Sequence, residues 1–346
     1  MSEIPRGAIR FNTDSNKPEL WDGSQWAELQ LSTPNLGRSV DTQPGARGLI
    51  GGGFNDSTPN TDQIDYINIA STGNSVDFGN LSDGAGFYGC SFASSTRGFF
   101  AAMRAPASTN VIAFVNFSTT GNTSDYGDLT RTVSYNPGGA ANSTRGLVMG
   151  GNTSPGAAAD DTIDALTMAS NGTAFDFGNL ANAGRYSTGC ASPTRGIYIQ
   201  GSESNPTVDT TDIDFITIAT QGDSVKFAHL TSTGISAGAA SNATRGLVAG
   251  GDFSPGTTNR IDYITIASTG NATDFGDLTS KRYGSPGCSS PTRAVWAGGY
   301  DVPATAYVNT MDYVNIATQG NAVDFGDRGS GGWTYHGACS NAHGAL

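Results

Sequence analysis

The sequence predicts an all-β fold, a six-bladed β-propeller, and three observations carry that reading. The stretch ATRGLVAGGDFSPGTTNRIDYITIASTGNATDFGDL, residues 243–278, is written six times with variations. Its Arg245 has counterparts at Arg47, Arg97, Arg145, Arg195 and Arg293, with successive spacings of 50, 48, 50, 50 and 48 residues. Each copy holds four short β-rich runs broken by Gly, Ser, Thr and Asn, here SAGAASN, TRGLVAGG, IDYITIAS and ATDFGDL. Units of about 40–50 residues with several strands apiece cannot bury their apolar faces alone and stack into propellers.

Each run has its own chemistry. In IDYITIAS, Ile261, Tyr263, Thr265 and Ala267 share one face and Asp262, Ile264, Ile266 and Ser268 the other, because strand side chains alternate. Both faces are substantially apolar, as a sheet sandwiched between two others requires. The third and fourth runs join through ASTGNA and its relatives, so glycine recurs at Gly73, Gly121, Gly172, Gly222, Gly270 and Gly320, where a tight turn needs positive φ. The second run ends in a glycine pair, read as Gly51 and Gly52, Gly150 and Gly151, Gly250 and Gly251, and Gly298 and Gly299. Two copies depart from it, with Ala101 and Ala102 in one and Gln200 and Gly201 in the other. The third run carries Asp65, Asp164, Asp214, Asp262 and Asp312, with Ala113 in the remaining copy. Buried charges need partners, so each repeat Arg and Asp are expected to tie neighbouring strands or blades together. The alternative is a ring of carboxylates holding Ca²⁺ or another cation in the channel.

TRGLVAGG, a variable loop, IDYITIAS and then DFGDL resemble the kelch repeat, in which a Gly-Gly pair ends the second strand. The array from about residue 36 onwards also resembles repeated segments of kelch-like structural proteins encoded by phages of marine cyanobacteria.

Residues 1–35 lie outside the repeat and form a separate β adaptor in this reading, the propeller occupying residues 36–346. GAIRFNTDSNKPELWDGSQWAEL shows two apparent strands around DSNKPE and then the hairpin signal Asp-Gly. Its Gly7, Ile9, Arg10, Phe11, Asn12, Asp22, Gly23 and Trp26 resemble a β motif of tail-fibre and other appendage proteins of tailed bacteriophages. That resemblance implies a virion protein anchored through this segment, with Phe11, Trp21 and Trp26 as candidate anchoring residues. Two exposed tryptophans in so short a unit require something to pack on.

At the other end, GACSNAHGAL, residues 337–346, repeats the first-run sequence GAASNATRG, whereas the first copy has only SVDTQPG there. The C-terminal segment is therefore expected to supply the innermost strand of the first blade and close the circle, removing exposed edges.

Composition narrows the function. Eighteen basic against 30 acidic residues give a net charge of −12, which argues against a broad nucleic-acid-binding surface. No apolar run of about 18 residues appears, so membrane insertion is not expected. The 48 glycines, about twice the usual level, fit many turns, because the apolar runs recur on schedule. Cys90, Cys190, Cys288 and Cys339 read as small buried residues at corresponding places in the first runs, interchangeable with Ala140 and Ala240. DFG at Asp77, Asp176, Asp274 and Asp324 lacks a kinase glycine loop, and GGGF near Gly51 lacks the Lys of a phosphate loop. His229, His336 and His343 form no zinc pair. No catalytic residue, cofactor or metal site is assigned.

The loops between second and third runs differ most among copies, and unequal loops on a repeated scaffold are where binding residues sit. Phe54, Arg104, Arg260, Tyr300 and Tyr307 are the candidate binding-face residues, a set that suits a carbohydrate. The expectation is a non-enzymatic virion structural protein, made in the bacterial cytoplasm and present in multiple copies. Its partners are other virion proteins, through residues 1–35, and a host-surface glycan. The tail or a fibre is the first choice of location and capsid-exterior decoration the alternative. A carbohydrate-active enzyme or lectin on the same scaffold is the rival from another class.

Overall fold

The computed structural model describes residues 5, 7–12, 17–21, 24–28, 47–56, 60–103, 107–153, 158–204, 207–252 and 256–346. Every regular element among them is a β-strand, and all sheets are antiparallel. The chain divides into two compact units, Met1–Gln43 and Pro44–Leu346.

In the first unit Ile9–Asn12, Lys17–Trp21 and Trp26–Glu28 form a three-stranded sheet. Trp21 pairs with Trp26 across it, their ring centroids 5.4 Å apart, and the Arg10 guanidinium lies 4.3 Å above Trp26 while bonding Glu19 at 2.8 Å. The two tryptophans thus find their packing partners within this sheet. Phe11 lies in the first strand, and its side chain is outside the described residues.

The second unit contains six four-stranded sheets. Sheet V is representative: Gly238–Ser241, Arg245–Ala249, Arg260–Thr265 and Thr273–Asp277 follow one another in space as in sequence. Sheets II, III, IV and VI repeat the plan over residues 90–133, 138–184, 188–229 and 287–327. Sheet I takes its first strand from far along the chain, Gly337–Ser340 pairing with Arg47–Gly51 through Cys339↔Leu49. The first strand of each sheet lies beside those of two other sheets, in the order I to VI, with that of VI beside that of I.

The core lies between successive sheets. Cys90, Phe92, Phe99 and Phe114 of sheet II meet Val148 and Leu166 of sheet III, and five comparable clusters fill the other junctions. Fully burying one such Leu, Ile or Phe contributes about 1.5–3 kcal/mol. This burial is why both faces of the third strand read as apolar. The glycine after a repeat Arg sits where a neighbouring sheet comes close: an added Cβ on Gly146 would lie 2.3 Å from Phe92, and one on Gly48 would lie 2.8 Å from Cys288 Sγ. In one copy Ala294 replaces this glycine, within a cluster that includes Ala240 of the preceding sheet.

The DFG triplets are part of the same interlock. Gly79 adopts φ +148°, and a Cβ there would lie 2.3 Å from the Gly121 carbonyl of the next sheet, whose N–H donates to Phe78 O at 2.7 Å. Only glycine fits both the dihedral and the contact.

Register corrects two sequence readings. Cys190, Cys288 and Cys339 face Ile197, Val295 and Leu49, two residues after the repeat Arg, but Cys90 faces Ala101, four residues after it. Phe92 therefore occupies the corresponding place in sheet II, and a phenyl ring fits there because Gly146 opposite has no side chain. All four cysteines are free and buried. In the first copy the terminal glycine pair is Gly52 and Gly53, with φ of +72° and +137°, aligned with Gly150 and Gly151 at +67° and +91°. Gly51 is still in the strand, paired with Ile64.

Candidate functional site

The repeat Arg and Asp do not pair with each other. Their register puts them three residues apart along the sheet, Arg245 facing Thr265 while Asp262 faces Val248. Each Arg instead donates to a backbone carbonyl of the following sheet: Arg97 to Met168 at 3.2 Å, Arg145 to Ile218 at 2.6 Å, Arg195 to Ile266 at 2.9 Å, Arg245 to Ile316 at 2.9 Å and Arg293 to Ala70 at 2.9 Å. Arg47 likewise donates to Phe117 O. Five of the six guanidinium groups also lie over an aromatic ring of their own third strand, as Arg195 does over Phe215 at 4.5 Å.

The aspartates accept from the fourth strand of the preceding sheet or from the segment that follows it. Thr130 donates to Asp164 at 2.5 Å, Thr231 to Asp262 at 2.7 Å and Thr279 to Asp312 at 2.8 Å. Asp214 accepts from Ser224, just ahead of its own sheet's fourth strand, at 2.8 Å and, at 3.4 Å, from the N–H of Ala181 in the preceding sheet. Two carry fully buried arginine partners, Arg282 on Asp312 and Arg328 on Asp65, each at 2.8 Å. Burial raises the carboxyl pKa of Asp164 and of Asp262, and lowers that of both arginines. These aspartates stand in third strands, and none of them lines the space between the first strands.

That space contains two cavities, about 50 and 60 Å³, each lined by first-strand residues of all six sheets. Their walls are mostly Gly, Ala, Ser and Cys, with Phe92 and His343 in the smaller and Asn136, Thr188, Tyr335, His336 and two prolines in the larger, and include no carboxylate.

Beyond the larger cavity the segments leading into the first strands form a chain of backbone hydrogen bonds. Asn136 N–H donates to Tyr88 O, Tyr186 to Tyr135, Ser236 to Tyr186, Gly284 to Ser236, Tyr335 to Gly284, and Tyr88 to Tyr335, at 2.7–3.1 Å. Tyr88, Tyr135, Asn136, Tyr186, Ser236, Gly284 and Tyr335 all have φ between +51° and +65°. Non-glycine residues in this region cost about 1–2 kcal/mol each, so the bonds hold a strained backbone in place.

The tyrosines of these segments build an aromatic surface. Successive ring centroids run from Phe54 to Phe87 at 5.2 Å, Tyr88 at 5.0 Å, Tyr335 at 4.2 Å, Tyr283 at 5.9 Å, Tyr300 at 5.4 Å, Tyr307 at 5.1 Å and back to Phe54 at 6.2 Å. Tyr135 and Tyr186 join through Tyr88 at 5.4 and 6.2 Å. Tyr307 donates its hydroxyl to Asp56 at 2.6 Å. Burial pushes the Tyr88 hydroxyl up to about 12 and raises those of Tyr283, Tyr307 and Tyr335. The phenols therefore stay neutral and keep their donor hydrogens. Phe87 is buried; the remaining half-buried flat rings, with tyrosine hydroxyl donors and the Asp56 carboxylate at the margin, offer stacking surface and directional hydrogen bonds together.

Of the predicted binding-face residues, Phe54, Tyr300 and Tyr307 meet here. Arg260 is engaged elsewhere, donating to Thr231 at 2.8 Å beside Asp262, and Arg104 lies outside the described residues. Sequence reasoning missed Phe87, Tyr88, Tyr135, Tyr186, Tyr283 and Tyr335. Their signal was present, because Tyr88, Tyr135, Tyr186 and Tyr283 stand nine or ten residues before a repeat Arg, and Tyr335 precedes the displaced first strand of sheet I. No protein-family model matches the chain, and no curated protein matches it.

Proposed function

We propose that the six sheets are the blades of a closed kelch-like propeller that binds a glycan on its aromatic face, without catalysis. The observation that carries the binding reading is the circuit of seven aromatic rings, because planar faces stack on the C–H faces of sugars while tyrosine hydroxyls meet their hydroxyl groups. The cyclic order of first-strand neighbours, the six arginine-to-carbonyl links and the hydrogen bonds returning to Tyr88 support the closed arrangement. Placement on a tailed-phage particle, with residues 1–35 as the anchor, rests on the resemblance of Gly7–Asn12 and Asp22–Trp26 to appendage proteins. The host-surface glycan is then the natural ligand.

The test has two arms. A glycan array probed with the full chain and with Tyr300→Ala and Tyr307→Ala is expected to show binding that falls at least tenfold in both variants. Retained affinity in both would remove the aromatic face as the site, and measurable release of reducing sugar would replace the lectin reading with an enzyme. Incorporation of the tagged full chain into phage particles, lost on removal of residues 1–35, tests the anchor separately.

A further inference from the structure

The larger cavity between the first strands has polar demands that the protein leaves open. In an antiparallel pair alternate residues direct N–H and C=O towards the partner and away from it. The bond from Asn142 N–H to Arg145 O, repeated in kind by Ser94, Ser192, Asn242, Ser290 and Asn341, fixes the phase in all six sheets. Ser91, Gly139, Gly189, Ala239, Gly287 and Ala338 therefore turn their backbone groups away from the second strand, and all six line both cavities. One tier below, serines answer this demand: Ser241, Ser289 and Ser340 donate to Ala191 O, Ser241 O and Ser289 O, and His343 Nε2 donates to Ala93 O. In the upper tier only Ala338 O has such a partner, Ser91 Oγ at 2.7 Å.

The side chains on the upper wall are open as well. Ser236 is 2% exposed and its Oγ has no hydrogen-bond partner; Asn136 Oδ1 has none either. His336, 4% exposed, sits near the Ala297 carbonyl without a well-formed bond from either ring nitrogen. The nearby buried charges are already paired, Arg282 with Asp312 and Arg328 with Asp65, so neither a cation nor an anion is called for. Donors and acceptors are mixed. A water needs about 10–15 Å³ of such space and two to four polar partners, and the cavity measures about 60 Å³.

We propose that this cavity is a built site for a cluster of about four neutral hydroxyl oxygens, held by Ser236, Asn136, His336 and the upper backbone tier. Water and a small polyol share that chemistry. Crystals of the full chain grown without polyols are expected to show at least about three ordered oxygens, one within hydrogen-bond reach of Ser236 Oγ. A dry cavity would overturn the proposal. A soak in ethylene glycol distinguishes the sources: linked density at the same positions assigns the site to polyols also, and unchanged isolated peaks assign it to water. Glycol bound only on the outer surface would be an adventitious additive only, and the site would again be one for water.

In solution, oxygen-17 relaxation dispersion is expected to count about one fewer long-lived water in Ser236→Ala. Ser236→Gly, which keeps the positive φ accessible, should give the same loss with unchanged circular dichroism. An unchanged count in both would overturn the proposal.

Discussion

Arg328 and Asp65 lie at the junction of sheets VI and I, where the two ends of the array meet, and Arg282 and Asp312 make the equivalent pair between sheets V and VI. Both pairs are fully buried with N···O distances of 2.8 Å. Replacing either Arg by Met keeps most of the stem volume and strands a carboxylate, which costs about 3–5 kcal/mol for a buried pair. Ser330 and Gln63 still donate to Asp65, and Thr279 still donates to Asp312, so the lower end, about 3 kcal/mol, applies to both. For a unit of this size that lowers Tm by about 6 °C at about 2 °C per kcal/mol. Arg328→Met and Arg282→Met are accordingly expected to match within about 1 kcal/mol in urea unfolding at neutral pH. An inexpensive Arg328→Met beside a costly Arg282→Met would refute the reasoning, because the junction between first and last sheets would then bear no load.

Three further outcomes follow from the packing and charges. Gly146→Ala drives a methyl into Phe92 at 2.3 Å and is expected to cost about 1–3 kcal/mol, whereas Gly196→Ala, whose nearest neighbour would be Leu147 at 3.2 Å, should cost less; equal shifts in thermal unfolding would contradict this. Burial, then the charges of Arg328 and Arg282, hold the His336 pKa well below its ordinary value. The unfolded imidazole takes up a proton near pH 6.5 and the folded one does not, so stability is full above that pH and falls below it by up to about 1.4 kcal/mol per pH unit. His336→Asn should flatten that slope, and an unchanged slope would assign it to other groups. Ala113 borders a cavity of about 50 Å³ with Leu81, Phe100, Met103 and Val111, whereas the equivalent space beside Asp262 measures about 20 Å³. Ala113→Val should therefore stabilise by about 1 kcal/mol, read as a higher urea midpoint; a lower midpoint would mean the space is closed to methyl groups.

The four runs per copy were legible because strand patterning is local, and the structure places strands at Gly238–Ser241, Arg245–Ala249, Arg260–Thr265 and Thr273–Asp277 where the sequence predicts them. The partners of Arg245 and Asp262 were not, because both lie in other copies and one is a carbonyl, which carries no residue signature. Phe54, Tyr300 and Tyr307 stood out as aromatics in variable loops. Tyr88, Tyr186 and Tyr335 were hidden by a different cause. Their position is defined by a positive φ shared with Asn136, Ser236 and Gly284, so a conformational demand recurs there under changing residue types.

The pairing of Gly337–Ser340 with Arg47–Gly51 also sets an order of events during synthesis. Three strands of sheet I are among the earliest parts of the array to leave the ribosome, yet the fourth follows some 257 residues after Asn80. At about 5–20 residues per second that interval is about 13–50 s. Throughout it Arg47–Gly51 presents an unpaired edge with a buried-type sequence, RGLIG, the kind of surface that recruits other nascent chains. Sheets II to VI can form in sequence as they emerge, and the first sheet begun is the last completed.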